Sequence, residues 1–339
     1  MLYHPVKIGS LELKGNLFLA PLAGYSDQAF RSVCVRGGSC FEYSEMVSSE
    51  ALTRGNDKTF DLMKKAPNEE HYAIQLFGGN PDVMADAAVL VTQKTDCDLI
   101  DINAGCPVPK VVKTGSGSSL TANPEQLYQV LSKVVTKVNN SERPVPVSVK
   151  IRSGWDDLHI TYKEAADAAL KAGVAAITMH PRTKTQGYEG FSNWDYLADL
   201  VTQVNGQIPV FGSGDIFKPE DAKRMLATTK VDGVMFARGA MGKPFIFRQT
   251  KEFIETGKYS EISLEERISA GFDELDILIA QRGEKAACLE MRKRFCAYTK
   301  GIEHGGPIRL ALIKACTRDD YHKILEDPYA LLNRTEGLQ

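Results

Sequence analysis

The sequence lacks most features that mark secreted, membrane or metal-binding proteins. The stretch Met1–Lys7 has neither the basic start nor the apolar segment of an export signal, and no apolar run approaches the roughly 20 residues that span a membrane. The seven cysteines are scattered, with no Cys-x-x-Cys pair, which argues against a disulfide framework and a zinc site. We therefore expect a cytoplasmic protein with no membrane segment and no metal.

The chain also carries little net charge. Its 41 lysines and arginines nearly balance 43 acidic residues, which leaves a formal net charge of −2, so the whole chain gives no indication of a polyanionic partner. Basic residues are concentrated only locally: residues 282–323 contain 10 lysines and arginines against 5 acids, whereas residues 245–281 contain 4 against 8. Any nucleic-acid surface must therefore be a local patch.

Short apolar runs alternate with amphipathic stretches as far as about residue 242. Each run has the continuous hydrophobicity of a strand buried on both faces, and several intervening stretches begin with helix-start signals. Eight alternations predict an α/β fold of the (β/α)8 TIM-barrel type; a doubly wound open sheet is the alternative, because periodicity alone does not close a barrel. The predicted strands are Leu17–Ala20, Phe41–Glu45, Ala73–Phe77, Leu99–Asn103, Pro146–Ile151, Ala176–His180, Pro209–Gly212 and Gly233–Ala237. The predicted helices include Pro81–Lys94, Pro124–Val138, Thr161–Ala172, Trp194–Val204 and Pro219–Ala227.

The pattern changes after about Phe245. No β-branched run recurs, and the remainder is helical in character, with turn breaks at Gly257, Gly283 and Gly305. We therefore predict a barrel domain over residues 1–244 and a small helical domain over residues 245–339.

The carboxyl ends of the predicted strands indicate where the chemistry lies, because barrel enzymes place their active sites there. Glycine-rich loops follow strands 7 and 8, at Gly212–Asp215 and at Arg238–Gly242. Backbone N–H groups in such loops approach anions closely, so the pair favours a phosphate site over two ordinary βα turns.

Two further side chains stand at the same predicted face. Lys150 ends an apolar strand, where an ammonium needs an anion or other acceptors nearby unless it extends out of the barrel mouth. Cys106 lies in a Gly/Pro loop after strand 4. Its thiol is a candidate proton donor, or a nucleophile if a cation lowers its pKa, although most cysteines are simply small buried hydrophobes.

From about Leu17 to Leu312 the chain resembles the tRNA-dihydrouridine synthases, specifically their bacterial branch. The resemblance depends on several motifs in order, and the ordered set is much more specific than any one of them. They are Ala20–Asp27, Glu45–Val47, Gln75–Gly78, Asp101–Val108, Val149–Asp156, Asp232–Met235 with Arg238–Gly239, and the pair Arg292–Lys293.

This resemblance implies a cofactor, a reaction and a set of site residues. It implies non-covalent FMN, reduced by NADPH or NADH, and hydride transfer from the flavin N5 to C6 of a tRNA uracil, with Cys106 as the proton donor to C5. The implied flavin contacts are Pro21, Leu22, Ala23, Gln75, Lys150 and His180, and the implied phosphate contacts are Ser213, Gly214, Asp215, Ala237 and Arg238. Asn103 and Arg152 match positions that hold the uracil, and the basic run Arg292, Lys293, Arg294 and Lys300 is expected to contact RNA phosphates.

The chain departs from the family pattern at Pro181, Ser213 and Arg294. Proline at position 181 has no backbone N–H to donate, and serine at position 213 replaces an amide by a hydroxyl. Without the resemblance, the basic run would be interpreted as a solvated helix face. Two rival functions remain: an FMN-dependent TIM-barrel dehydrogenase acting on a small pyrimidine-like substrate, and a non-catalytic RNA-binding barrel. We expect a monomer, and the sequence does not identify which tRNA uridines are modified.

Overall fold

The computed structural model describes residues 1–303 and 305–326. Its strands are β1 (Val6–Ile8), β2 (Leu11–Leu13), β3 (Leu17–Leu19), β4 (Phe41–Ser48), β5 (Tyr72–Phe77), β6 (Leu99–Ala104), β7 (Val147–Asp156), β8 (His159–Ile160), β9 (Ala176–Thr183), β10 (Val210–Ser213) and β11 (Gly233–Phe236). Its helices are α1 (Gln28–Arg36), α2 (Ser49–Thr53), α3 (Asp57–Asp61), α4 (Pro81–Lys94), α5 (Pro109–Val112), α6 (Ser118–Ala122), α7 (Pro124–Asn139), α8 (Tyr162–Ala172), α9 (Asp195–Val204), α10 (Pro219–Thr229), α11 (Ile246–Thr256), α12 (Leu264–Arg282), α13 (Glu284–Tyr298), α14 (Gly306–Leu312) and α15 (Arg318–Leu325).

Eight parallel strands close into a barrel, which confirms the predicted TIM-barrel fold. The sheet runs in the order β6-β5-β4-β3-β11-β10-β9-β7, and β6 also pairs with β7. This last pairing closes the ring and excludes the open sheet. All eight predicted strands are present, each buried along most of its length, as strands covered by helices on one side and by the barrel interior on the other should be.

The helix starts follow the local sequence signals. Asn80 caps α4 by accepting hydrogen bonds from the N–H groups of Asp82 and Val83, and Pro81 occupies the first turn, where no N–H is needed. Asn123 caps α7 in the same way. These caps explain why the predicted starts of both helices are correct.

A short hairpin that the sequence analysis missed closes the amino-terminal end of the barrel. β1 and β2 pair antiparallel, with Gly9 at a φ of +59° in the turn between them. Their apolar side chains pack in one cluster with Phe18 and Phe211 from the barrel interior. Because this end is plugged, the carboxyl ends of the strands form the open mouth.

The carboxyl-terminal helices build a second core. α12 to α15 enclose a separate apolar cluster that includes Leu275, Phe295 and Tyr321. α11 instead packs on the barrel, where Phe247 lies against Phe236 of β11 with ring centroids 5.0 Å apart. The predicted division between residues 244 and 245 stays a prediction, and residues 327–339 of the predicted helical domain lie outside the described residues. In the described part of the chain, no helix is both long enough and apolar enough to cross a membrane.

Candidate active site

The barrel mouth brings together the polar side chains that the sequence analysis selected. Strand pairing places Asn103 of β6 directly beside Lys150 of β7, and Arg152 of β7 directly beside His180 of β9. Gln75 lies on β5, the neighbour of β6. All five residues therefore stand on adjacent strands at the same end of the barrel.

Lys150 is a cation without a counterion. Its side chain is partly buried, and it makes no hydrogen bond or ion pair with any residue in the ranges 1–303 and 305–326. Burial lowers the pKa of Lys150 to about 8, and the nearby Asp101 carboxylate opposes that shift only in part. An unpaired, partly desolvated ammonium stabilises any anion placed beside it, which favours an anion-facing lysine over one that merely extends into solvent.

The loops after β10 and β11 provide backbone donors for an anion. The N–H groups of Gly214 and Asp215 in one loop, and of Arg238 and Gly239 in the other, have no hydrogen-bond partner within the described residues. Clustered, unpaired N–H groups of this kind form phosphate-binding concavities. The predicted phosphate site therefore has suitable donors on both loops, and a group such as the FMN phosphate fits it.

Gly214 is required by the geometry of this site. Its φ is +108°, and a Cβ there would lie 2.5 Å from Ser192 Oγ and 2.7 Å from His180 Cδ2. Neither the backbone conformation nor the space would accept a side chain. The absence of a side chain at Gly214 therefore allows the loop backbone to pass directly against His180.

Asp215 holds the Arg182 side chain and the Ser192 backbone in place beside the mouth. Its two carboxylate oxygens each accept a hydrogen bond from Arg182 at 2.8 Å, and the Ser192 N–H donates to Oδ2 at 2.7 Å. Burial opposes ionisation, but these donors hold the pKa of Asp215 below its usual value. Arg238 also pairs with this carboxylate, but at 3.5 Å rather than 2.8 Å, and its side chain is 38% exposed whereas that of Arg182 is 2% exposed. Arg238 is therefore the better candidate for an anion, and its guanidinium lies 4.4 Å from the Tyr188 ring centroid.

The two strand-end residues of the predicted phosphate site differ in exposure. Ser213 is the last residue of β10 and is buried, at 3% exposure, whereas Ala237 follows β11 and is partly exposed. Their positions at the ends of neighbouring strands bring the two glycine loops side by side.

The Cys106 loop is fixed by polar contacts. Asn103 Oδ1 accepts hydrogen bonds from the N–H groups of Gly105 at 3.1 Å and Cys106 at 2.9 Å. Arg152 Nε donates to the Gly105 carbonyl at 2.9 Å, and Ser118 Oγ donates to the Cys106 carbonyl at 3.0 Å. Burial raises the pKa of the Cys106 thiol, although a backbone N–H and nearby cations oppose the shift. The thiol is therefore protonated near neutral pH, which suits a proton donor better than a nucleophile.

The mouth as a whole is electropositive. Burial lowers the pKa of His180 well below its ordinary value, and Lys150, Arg152, Arg182 and Arg238 add to the effect, so the imidazole is neutral near pH 7. Arg152 is 3% exposed, and its guanidinium donates to three backbone carbonyls; within the described residues it has no carboxylate partner. These features leave net positive charge facing the mouth.

The loop after β3 forms another wall. In the predicted flavin contact segment Pro21–Ala23, the Leu22 carbonyl accepts hydrogen bonds from the N–H groups of Tyr25 and Ser26 at 2.9 Å each, which makes a tight turn. Glu45, within β4, accepts a hydrogen bond from Gly24 N–H. The loop thus has a defined shape beside the mouth.

The basic run of α13 divides into residues with different surroundings. Arg292 Nε donates to the Ala315 carbonyl at 2.9 Å, and Lys293 Nζ donates to the Gly24 carbonyl at 2.6 Å while remaining exposed. The expectation that Arg294 contacts RNA is wrong: its side chain is fully buried and forms ion pairs with Asp27 and with two further carboxylates. Helical spacing alone does not show which residues of a basic run face inward.

The sequence analysis assigned no role to three residues at or beneath the mouth. Asp101 binds Gln75 from below, Arg182 holds the β10 loop, and Tyr188 stacks on Arg238. The available signal for Asp101 was a charged residue inside an apolar strand run, which a buried hydrogen-bonded role would explain. Tyr188 lies in a loop with no recognisable pattern.

The comparison with protein families assigns the barrel to a class of enzyme. The model of the dihydrouridine synthase family matches residues 18–332, and the chain therefore belongs to this family of flavin-dependent oxidoreductases. The match covers the barrel and most of the carboxyl-terminal helices.

Curated relatives agree with the family model. The chain is 53% identical over 302 residues to a probable tRNA-dihydrouridine synthase of Treponema pallidum, with 88% of this chain and 89% of the relative covered. It is 36% identical over 294 residues to tRNA-dihydrouridine synthase B of Shewanella oneidensis, covering 86% and 89%.

Solved structures share the fold at low sequence identity. DHODH from Eimeria tenella, solved in complex with ferulenol, matches with a TM-score of 0.53 at 16% identity, covering 73% of this chain and 82% of that one. Histamine dehydrogenase from Rhizobium sp. 4-9 matches with a TM-score of 0.52 at 14% identity, covering 79% and 51%. These likenesses support the barrel architecture.

Proposed function

We propose that this protein is a tRNA-dihydrouridine synthase that reduces the C5–C6 double bond of specific uridines in tRNA, with bound FMN and with NADPH or NADH as the reductant. The observation that carries the proposal is one mouth that combines an unpaired lysine with a protonated thiol. Gly105, next to Cys106, packs directly on the backbone of Lys150 and Ile151, so the two chemical groups belong to neighbouring segments.

The residues present fit FMN. The free N–H groups of Gly214, Asp215, Arg238 and Gly239 suit its phosphate, and the Lys150 ammonium suits the negative charge that a reduced flavin ring carries. The remaining proposed contacts of the ring are Pro21, Leu22, Ala23, Gln75 and His180. When bound, FMN supplies the hydride to C6 of the uracil.

The chain's own residues supply the rest of the chemistry. Addition of hydride at C6 leaves negative charge on the uracil, which the mouth stabilises through Lys150 and its other donors. The Cys106 thiol then gives its proton to C5, and the raised pKa keeps that proton available at neutral pH. Asn103 and Arg152 orient the base, and the net positive charge of the mouth favours the developing anion.

The helical domain is proposed to hold the tRNA. A stacked base must be extruded before it enters a barrel mouth, and cations near the mouth can grip the flanking phosphates. Lys293 and Lys300 are exposed and Arg292 is partly so, which makes these three the proposed RNA contacts. We propose that the enzyme works in the cytoplasm as a monomer, with residues 1–244 catalytic and residues 245–339 binding tRNA.

The direct test uses purified protein and unmodified tRNA transcripts. We expect a yellow protein that contains FMN and that forms dihydrouridine in the transcript when NADPH or NADH is added, measured by mass spectrometry of the digested RNA. Free uridine and orotate, which keep the C5–C6 double bond, serve as matched small substrates for the same reduction. A colourless protein, or one that acts on a free pyrimidine but not on tRNA, would contradict the proposal.

A further inference from the structure

A buried carboxylate lies beneath the proposed flavin site. Asp101 of β6 is fully buried, yet it has no ion pair among the described residues. Ser148 Oγ of β7 donates a hydrogen bond to its Oδ1 at 2.6 Å, and Gln75 Nε2 of β5 donates to its Oδ2 at 2.6 Å. Three adjacent strands therefore meet at this carboxylate.

The hydrogen bonds continue from this carboxylate to the Cys106 loop. Asn103 Nδ2 donates to Gln75 Oε1 at 2.8 Å. Asn103 Oδ1 then accepts from the N–H groups of Gly105 and Cys106. A continuous chain of hydrogen bonds thus joins the barrel interior to the backbone of the proposed proton donor.

The groups at the two ends of this series of hydrogen bonds determine which group donates at each step. An ionised carboxylate only accepts hydrogen bonds, so Gln75 must turn its NH2 group toward Asp101 and its oxygen toward Asn103. A backbone N–H only donates, so Asn103 must turn its oxygen toward the Cys106 loop and its NH2 group toward Gln75. The observed orientations of the Gln75 and Asn103 amides meet both requirements. Rotation of either amide by 180° would place two donors or two acceptors against each other.

We propose that Asp101 is a positioning residue whose acceptor-only carboxylate sets the orientation of Gln75 and Asn103 and thereby holds the Cys106 loop. This inference rests on the proposed role of Cys106 only for its catalytic meaning, since the positioning itself can be measured without any reaction. It also explains why a carboxylate occupies a fully buried position in β6.

The electrostatic surroundings are consistent with this role. Burial raises the pKa of Asp101 to about 6, while hydrogen bonds from Ser148 and Gln75 and the charge of Lys150 on β7 oppose the rise. Burial raises the pKa of the Tyr43 phenol on β4 well above its ordinary value, and the nearby negative charge of Asp101 adds to that rise. At pH 7.5 Asp101 is therefore ionised, and both of its oxygens accept.

The test is a cycle of four proteins, the original enzyme and three variants of nearly equal volume, all prepared with FMN bound at pH 7.5. Asp101→Asn keeps an acceptor for Gln75, because the Ser148 hydroxyl can turn to accept from the new amide. Asn103→Asp places acceptors on both sides of Gln75, which can be paired only if one of the two carboxylates takes up a proton at pH 7.5, at a cost in free energy. In the double variant Asp101→Asn/Asn103→Asp, the Gln75 amide rotates by 180°. Its NH2 group then donates to the new carboxylate at position 103, its oxygen accepts from the new amide at position 101, and every group is paired again.

The readout is the rate at which iodoacetamide alkylates Cys106, measured on its peptide by mass spectrometry. A mismatched buried hydrogen bond loosens the loop, so we expect roughly tenfold faster alkylation in Asn103→Asp. Asp101→Asn should stay within about threefold of the original enzyme, and the double variant should return to that range. Asp101→Ala, which leaves Gln75 without an acceptor, should alkylate as fast as Asn103→Asp. The buried Cys34 and Cys288 must stay protected throughout, as internal references against general unfolding.

Failure of the double variant to restore protection would overturn the inference, as would equal alkylation rates in all four proteins. The same measurements separate this inference from the proposed function. If the cycle behaves as expected while Cys106→Ala still forms dihydrouridine, the positioning role stands and the proton-donor role falls.

Discussion

Replacement of Arg294 should destabilise the protein far more than it weakens RNA binding. The guanidinium is fully buried between the loop before α1 and the carboxyl-terminal helices, where it pairs with Asp27 at 2.8 Å and with Glu274 and Glu290. Asp27 is 5% exposed and Glu274 is fully buried. Arg294→Met therefore leaves two buried carboxylates without their main cation.

The size of the effect follows from the partners that remain. Breaking a buried ion pair from one side typically costs about 3–5 kcal/mol, because the other charge stays desolvated. Asp27 keeps Arg282 at 3.0 Å, and Glu274, whose pKa is raised by burial, can take up a proton. We therefore expect a loss near the lower end of that range, about 3 kcal/mol.

Urea unfolding followed by circular dichroism measures the loss, and Arg318→Ala is the matched control. Arg318 of α15 binds Asp276 of α12 through two hydrogen bonds on the surface, with its side chain 43% exposed, so its removal should change stability by only about 0–1 kcal/mol. Arg294→Lys should recover part of the loss, since one ammonium cannot span the same carboxylates. If Arg294→Met unfolds like the original protein but loses tRNA affinity, the arginine faces RNA and our assignment is wrong.

Two further predictions concern the cofactor. Affinity for reduced FMN, the form whose ring is negatively charged, should fall by up to about tenfold per pH unit above pH 8, because the folded-state pKa of Lys150 is lowered to about 8 and the ammonium loses its proton as the pH rises through that value. Anaerobic titrations with reduced FMN from pH 7 to 9.5, followed by quenching of the protein's own fluorescence, measure this. Lys150→Arg should flatten the profile, and a profile unchanged by the substitution would count against the ion pair. Gly214→Ala should weaken FMN binding at least about tenfold, since the substitution at φ +108° also clashes with Ser192 and His180. Gly206→Ala, at φ +70° with open space around it, controls for backbone strain alone, and equal FMN affinity in the two variants would refute the close approach.

The barrel was predictable because its signals are local. Each apolar run is a strand covered on both faces, and pairs such as Asn80-Pro81 fix helix starts within a few residues. The β1–β2 hairpin was missed because its strands have three residues each, too few to show a period. β7 was predicted to end at Ile151 but continues to Asp156, because it pairs with β8 beyond the barrel. The sequence contains no apolar run that would predict this pairing.

The site was predictable only where position along a strand was enough. Lys150 and Cys106 could be selected because strand ends define the mouth. The burial of Arg294 could not, since its partner Asp27 lies 267 residues away in the chain. The role of Asp101 depends on strand register, which places Gln75 and Ser148 on either side of it.

The most direct test of the account is the Cys106→Ala variant in a single turnover. The FMN-loaded variant is reduced anaerobically with dithionite and mixed with unmodified tRNA, and both flavin absorbance and dihydrouridine are followed. We expect FMN content and reduction by NADPH to match the original enzyme, while dihydrouridine formation falls by about 100-fold or more, the usual contribution of a positioned general acid. Dihydrouridine formed at the original rate would show that the thiol does not supply the proton and would contradict the central claim.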